Sequence, residues 1–348
     1  MKHFEKVDAM FHRLLELLNQ TRGVNLVSYN LLSYVTLRGT YIMCKKAKGY
    51  NINDDKRRLL EEVCRNFKIE ASDYVKRNLK EVEEALLANG YYVKVCKVKA
   101  ISRVIVGTSE SFAQVPFEVG LFFDPVLNVP FIPGSTLKGA FRQALEELIR
   151  REITDNSQAK EIADIIFGKE GLSGLVGVTD AYPVKSGEGG RLFEPDVLTP
   201  HYPCAKTELD VKPNPVLFLT IAPGVEFQFY VYFNKETYGL KYVFSQKMRE
   251  LHKKRRLRRL GTVRYQDLAK SEVIKAAEAL DRALYHDELV LDLSEALQRC
   301  NKPSANIIPY VDRAILHAFA RGIGAKTSVG YSRFTIVEYK SLRLTEKK

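Results

Sequence analysis

Three glycines within nine residues, Gly322, Gly324 and Gly330, separate two segments of different period near the end of the 348-residue chain. Before them, Ile307, Ile308, Val311, Ile315, Ala318 and Phe319 recur at helical spacing; after them, Phe334-Thr-Ile-Val-Glu-Tyr339 is β-branched and aromatic. The stretch therefore predicts a helix, a glycine loop and a strand, with Gly322 as the helix C-cap just after Arg321. That order excludes two common phosphate loops. A Walker A loop needs glycine at positions 320 and 325 and a helix behind it, but Ala320 and Ala325 stand there and a strand follows. The dinucleotide fingerprint fails too, because it follows a strand and opens a helix. What remains is a loop whose glycines let backbone N–H groups turn toward an anion, with Lys326 and Arg333 adding charge and Thr327 and Ser328 adding hydroxyls. The ligand suggested is a phosphate or a row of them. The plainer reading is a glycine-rich turn with incidental charge.

Upstream, residues 1–90 read as a helical segment. Phe11, Leu14, Leu15 and Leu18 make one apolar face; Leu59, Leu60, Val63, Phe67, Leu79, Val82 and Leu86 continue the pattern, and Asn89-Gly90 closes it. Tyr91–Val106 then alternates with period two and predicts a strand, so a domain boundary is placed near residue 90. Pro133-Gly134 predicts a turn and Ser135 the N-cap of a helix over 135–151 that buries Leu137, Phe141, Leu145, Leu148 and Ile149. Lys138 and Arg142, four apart, share its other face; with the helix N-terminus and Ser135 they form a candidate anion site. Gly139 in the first turns costs roughly 1 kcal/mol against alanine, so a close approach is expected there, by a neighbouring strand or by RNA. Further strands are expected at 174–184 and in a hairpin over 216–233, then a helix at 303–321 and a strand at 329–339, roughly β-α-β-β-α-β. Residues 185–212 read as a loop insertion and 236–300 as a basic helical insertion.

The formal net charge is +12, from 54 Lys and Arg against 42 Asp and Glu. That balance favours a polyanionic partner, nucleic acid ahead of a membrane surface. Lys253, Lys254, Arg255 and Arg256, with Arg258 and Arg259, place six cations in seven residues. Such a run is commonly a solvated tract, but without an acid it also suits nucleic acid. No apolar run approaches the ~20 residues that span a membrane, and no signal-peptide core opens the chain, so the cytoplasm is expected. The five cysteines are widely spaced with no C-x-x-C, and read as reduced thiols rather than a metal or disulfide frame.

Phe131-Ile-Pro-Gly-Ser-Thr-Leu-Lys-Gly-Ala-Phe-Arg142 resembles the I-P-G-S-S-L-K-G-x-x-R signature of the RAMP superfamily, the RNA-binding subunits of CRISPR effector complexes. Asp180-Ala-Tyr-Pro183, Leu198-Thr-Pro-His-Tyr202, Pro213–Thr220 and Gly324–Tyr331 resemble one branch of it, the sixth-subunit branch of the type III-B (Cmr) complexes. The resemblance spans about residues 91–334. It implies an α+β fold with a ferredoxin-like, RRM-type core in a RAMP domain over 91–348. It also implies binding of guide crRNA toward its 3′ end, with target RNA and other Cmr subunits as neighbours. Target cleavage belongs to another subunit of such complexes, so no catalytic residue, metal or cofactor is expected. The family loop maps onto Gly322–Tyr331, with Ser332 in place of its last glycine, and position 332 ranks below Gly324 and Lys326. Val329 stands where an RNP1 pattern needs Lys or Arg, so base stacking on the sheet is not expected. Loop contacts to phosphate and sugar would be sequence-tolerant and salt-sensitive.

Three other functions compete with RNA binding. An endoribonuclease processing precursor CRISPR RNA needs a paired acid and base; His201, in a Tyr- and Pro-rich loop, is the candidate, while His317 reads as a packed helix histidine. A metal phosphohydrolase on His286-Asp287 lacks further ligands at metal spacing, and Asp180 reads as structural, holding a turn. A pure assembly subunit would use its basic face for proteins.

Overall fold

The computed structural model describes residues 13, 30–67, 73–150, 156–170, 173–198, 215–233 and 308–342. The expected basic run 253–259, His201, His286-Asp287 and the insertion 236–300 lie outside the described residues. The chain divides into two compact units. One holds Met1–Ile69, Gly107–Pro130 and Gly190–Ile221; the other holds Glu70–Val106, Phe131–Gly189 and Ala222–Lys348.

In the first unit, α1 (Leu31–Ala47) and α2 (Asn53–Asn66) are followed later in the chain by the short α4 (Gln114–Phe117), the β2–β3 hairpin (Phe123–Asp124, Val129–Pro130) and the antiparallel pair β6 (Phe193–Leu198) and β7 (Val216–Ile221). Asn30 caps α1 by accepting the Ser33 N–H at 3.0 Å. The core of this unit includes Leu59, Leu60, Val63, Phe67, Phe112 and Phe193. Burial pushes the Cys64 thiol up to about 12, with Glu194 adding and Arg191 opposing, so this thiol is inert at neutral pH.

The second unit is α+β. Its antiparallel sheet runs in the order β4 (Val176–Val178), β8 (Glu226–Phe233), β1 (Tyr92–Ala100), β9 (Phe334–Leu342), with β5 (Tyr182–Lys185) also on β8. Helices α5 (Gly134–Arg150), α6 (Asn156–Phe167) and α7 (Ile308–Arg321) complete it, with α3 (Asp73–Ala88) at its start. Period two sorts the side chains of β8: Phe227, Phe229, Val231 and Phe233 are all buried on one face. Phe229 lies 6.3 Å from Phe141 of α5 and 6.0 Å from Phe319 of α7, centroid to centroid, which seats both helices on that face. The opposite face carries Tyr230 and Tyr232. There α3 packs across β1, β5 and β8, and the Tyr230 hydroxyl donates to Glu83 at 3.0 Å. Both faces of the sheet are therefore covered.

Several elements differ from expectation. The strand expected over 91–106 stops at Ala100, because the next residues turn to pair with the glycine loop. The strand expected at 174–184 is two, split where Thr179 Oγ1 takes the Tyr230 N–H at 2.9 Å and bulges the ladder. The segment 216–233 is not a hairpin: β7 pairs with β6, while β8 pairs with β1. Pro223 cannot donate a turn hydrogen bond, and the Gly224 N–H goes instead to the Ala100 carbonyl at 2.7 Å. The last strand begins at Phe334 rather than 329, since Ser332 has left-handed backbone.

Candidate nucleic-acid interface

Helix α5 begins at Gly134, one residue before the expected cap. The cap oxygen comes from Asp180, whose Oδ1 accepts the Gly134 N–H at 2.7 Å, and Ser135 is an exposed residue of the first turn. A Cβ on Gly134 would lie 2.3 Å from the Val178 carbonyl oxygen, so this glycine lets the helix start lie against β4. The close approach expected at Gly139 is absent among the described residues: nothing lies within 4 Å of where its Cβ would be. Arg142 is engaged inside the protein. It pairs with Asp164 of α6 and with Glu146, and its Nη1 donates to the Gly168 carbonyl at 3.4 Å. Lys138 differs. It is half-buried, burial pulls its ammonium below the ordinary lysine range, and among the described residues it has no ion pair.

The glycine loop is built against the segment that follows β1. Ala325 N–H donates to the Ile105 carbonyl at 2.8 Å, Ser332 N–H to the Arg103 carbonyl at 2.8 Å, and Ile101 N–H to the Arg333 carbonyl at 2.9 Å. Gly324, at φ +128°, makes room for this: its Cβ would meet the Ile105 oxygen at 2.5 Å. Gly322, at φ +98°, closes α7 with its N–H on the Ala318 carbonyl at 3.0 Å, so that amide is engaged. Gly330, at φ +97°, has open space around its missing side chain. Ser332, standing where a glycine was expected, takes φ +56° and is fully buried.

Lys326 is also left-handed, at φ 57° and ψ 30°, and a turn of 3-10 helix, Thr327–Val329, follows it. Among the described residues the N–H groups of Gly324, Lys326, Thr327 and Ser328 meet no acceptor. Successive amides after a left-handed residue converge into an anion-binding concavity. Lys326 and Arg333 are exposed beside it, with no ion pair among the described residues. Val329 and Ile101, at 70% and 62% exposure, add apolar surface.

The two candidate clusters lie apart in the sheet. The α5 start sits against β4 at one edge, whereas the glycine loop follows the end of β1 beside β9 at the other. His317 is buried on α7, its Nε2 3.7 Å from Glu147 Oε2, which agrees with a packed helix histidine. Among the described residues no group of three His, Cys, Asp or Glu could hold a metal, and no helix is long and apolar enough to cross a membrane. The sequence reading missed a buried pair that fixes α7 to the sheet: Lys94 Nζ lies 2.8 and 2.9 Å from the two Asp312 oxygens, and the Tyr339 hydroxyl donates to Asp312. The signal was present, as opposite charges on the apolar faces of a strand and a helix.

The RAMP superfamily matches residues 97–335. The CRISPR system CMR subunit Cmr6 of Saccharolobus solfataricus is 38% identical over 184 residues, which are 53% of this chain. The match spans 61% of that curated relative's length. Among solved structures, the cryo-EM structure of the type III-B Cmr-beta bound to cognate target RNA contains a chain similar at TM-score 0.58 and 25% identity, covering 91% of this chain and 93% of that one.

Proposed function

Because the chain belongs to the RAMP superfamily, we propose that it is a non-catalytic subunit of a type III-B (Cmr) ribonucleoprotein complex that binds guide crRNA toward its 3′ end. Its work is in the cytoplasm, beside other Cmr subunits and target RNA. The likeness to Cmr6 and to a chain of a Cmr-beta assembly supports this reading. The sheet order β4-β8-β1-β9 with α5 and α7 on one face supports a ferredoxin-like core in the second unit.

The observation that carries RNA contact is the cluster of unengaged amides at Lys326, Thr327 and Ser328, next to two exposed cations and no pairing acid among the described residues. Phosphate oxygens satisfy all of these at once. Lys138 contributes in the same sense, since a desolvated lysine without an anion is stabilised by one that arrives. Helix α3 covers the sheet face on which an RRM-type protein stacks bases, so contact runs through loops and along the RNA backbone.

The test is to tag the protein in its own cells, purify it gently and sequence what accompanies it. Small RNAs sharing a common 5′ end, with other subunits in fixed ratio, are the expected result. A lone protein that cuts repeat-containing RNA would overturn the reading and make His201 the residue to replace.

A further inference from the structure

We infer that Ser332 is a positioning residue, a latch that holds the 324–330 loop in its RNA-gripping shape; this rests on the RNA-binding reading above. Every polar group of Ser332 ties the loop to the segment after β1 or back to itself. Its Oγ accepts the Ile105 N–H at 3.0 Å and lies 3.3 Å from the Ile105 carbonyl, to which it donates. Its N–H reaches the Arg103 carbonyl at 2.8 Å, and its carbonyl accepts the Ile323 N–H at 2.9 Å.

Nothing in local backbone preference recommends serine there. Left-handed backbone disfavours side chains other than glycine, asparagine and aspartate, and the residue sits at φ +56° with no exposed surface. A glycine would remove that strain but would leave the Ile105 N–H without its acceptor. The hydroxyl is what glycine cannot supply. The neighbours agree: a Cβ on Gly324 would lie 3.0 Å from Ser332 Oγ, so the loop closes around the serine. Once closed, it aligns the Lys326, Thr327 and Ser328 amides before any ligand arrives, which is preorganisation in the ordinary sense. Ser332 touches no ligand itself, being buried; it acts through the amides.

The experiment compares the full chain with Ser332→Ala, Ser332→Gly and Lys326→Ala, reading amide hydrogen exchange over 323–332, thermal midpoint, and affinity for a fluorescent single-stranded RNA across a salt series. The expected result is faster exchange of the Ala325 and Ser332-position amides in both Ser332 variants. RNA affinity falls about 3- to 10-fold, the scale of one lost hydrogen bond. The salt slope stays unchanged, because no phosphate contact is deleted. Lys326→Ala instead lowers the slope by about one. If the alanine variant fails to fold, Ser332→Gly carries the comparison, since it relieves the φ strain. Unchanged exchange in Ser332→Gly overturns the latch whatever RNA does. Faster exchange with natural affinity overturns the positioning role. Natural affinity and slope in Lys326→Ala would instead sink the RNA reading of the loop, and the inference with it.

Discussion

At the start of α5 the helix amide and one of the two cations meet acids of the protein itself, whereas in the 322–333 loop neither the cations nor the leading amides meet any among the described residues. Asp180 takes the Gly134 amide and Asp164 takes Arg142; Lys326, Arg333 and three consecutive amides stand open. Both stretches combine glycine, hydroxyl and cation, and by composition they are alike. What separates them is where the acids fall, and those acids lie 22 and 46 residues away in the chain from the groups they engage. A cation is a binding group only in so far as the fold leaves it unmatched.

The contrast can be broken first at its glycines. Gly324→Ala forces a Cβ to 2.5 Å from the Ile105 oxygen at φ +128° and is expected to lower stability by about 3 kcal/mol or more, whereas Gly330→Ala meets only the left-handed penalty of about 1–2 kcal/mol. Urea denaturation distinguishes them, and equal losses would mean the two glycines are not differently packed. Next come the cations. Arg142→Ala is expected to reduce stability by about 1–3 kcal/mol, leaving Asp164 short of a partner, with the RNA salt slope unmoved. Lys326→Ala should do the reverse. An Arg142 variant that bound RNA more weakly, at full stability, would erase the distinction.

Asp180→Ala should cost about 1 kcal/mol as a lost helix cap, read from the thermal midpoint. Gly139→Ala, with open space around it, should raise stability by up to about 1 kcal/mol while leaving the fold intact. No gain at all would imply that the glycine serves the helix itself. The smallest expected effect concerns protons. Burial depresses Lys138, so it loses its charge ahead of exposed lysines as pH rises, and its contribution to RNA affinity fades at a lower pH than theirs. Lys138→Arg, which stays charged, should flatten that alkaline decline in a titrated binding assay; an identical decline would exclude Lys138 from the contact.

Periodicity made much of the second unit legible. The apolar face of α5, the strand after residue 91 and the helix–glycine–strand order of 307–339 all follow from local pattern. The pattern failed where a residue's partner is remote. Ile101–Val106 alternates like a strand, yet its carbonyls serve the glycine loop more than two hundred residues later. Val216–Phe233 reads as a hairpin because two β-rich runs flank Pro-Gly, and only pairing with β6 and β1 reveals two separate sheets. Arg142 looked available because Asp164 belongs to the next helix. At Ser332 a propensity rule pointed one way and a buried hydroxyl decided the other.

The place of β1 has a consequence in time. It lies inside the sheet, yet Tyr92 at its beginning meets Ser341, 249 residues further on. At ribosomal speeds of about 5–20 residues per second, that partner is made roughly 10 to 50 s after β1. Until then a β-branched strand waits with a bare edge, the condition in which chains find the wrong neighbour. The central strand is thus among the last to be secured, and a slow or crowded ribosome should harm this protein's yield more than its stability would suggest.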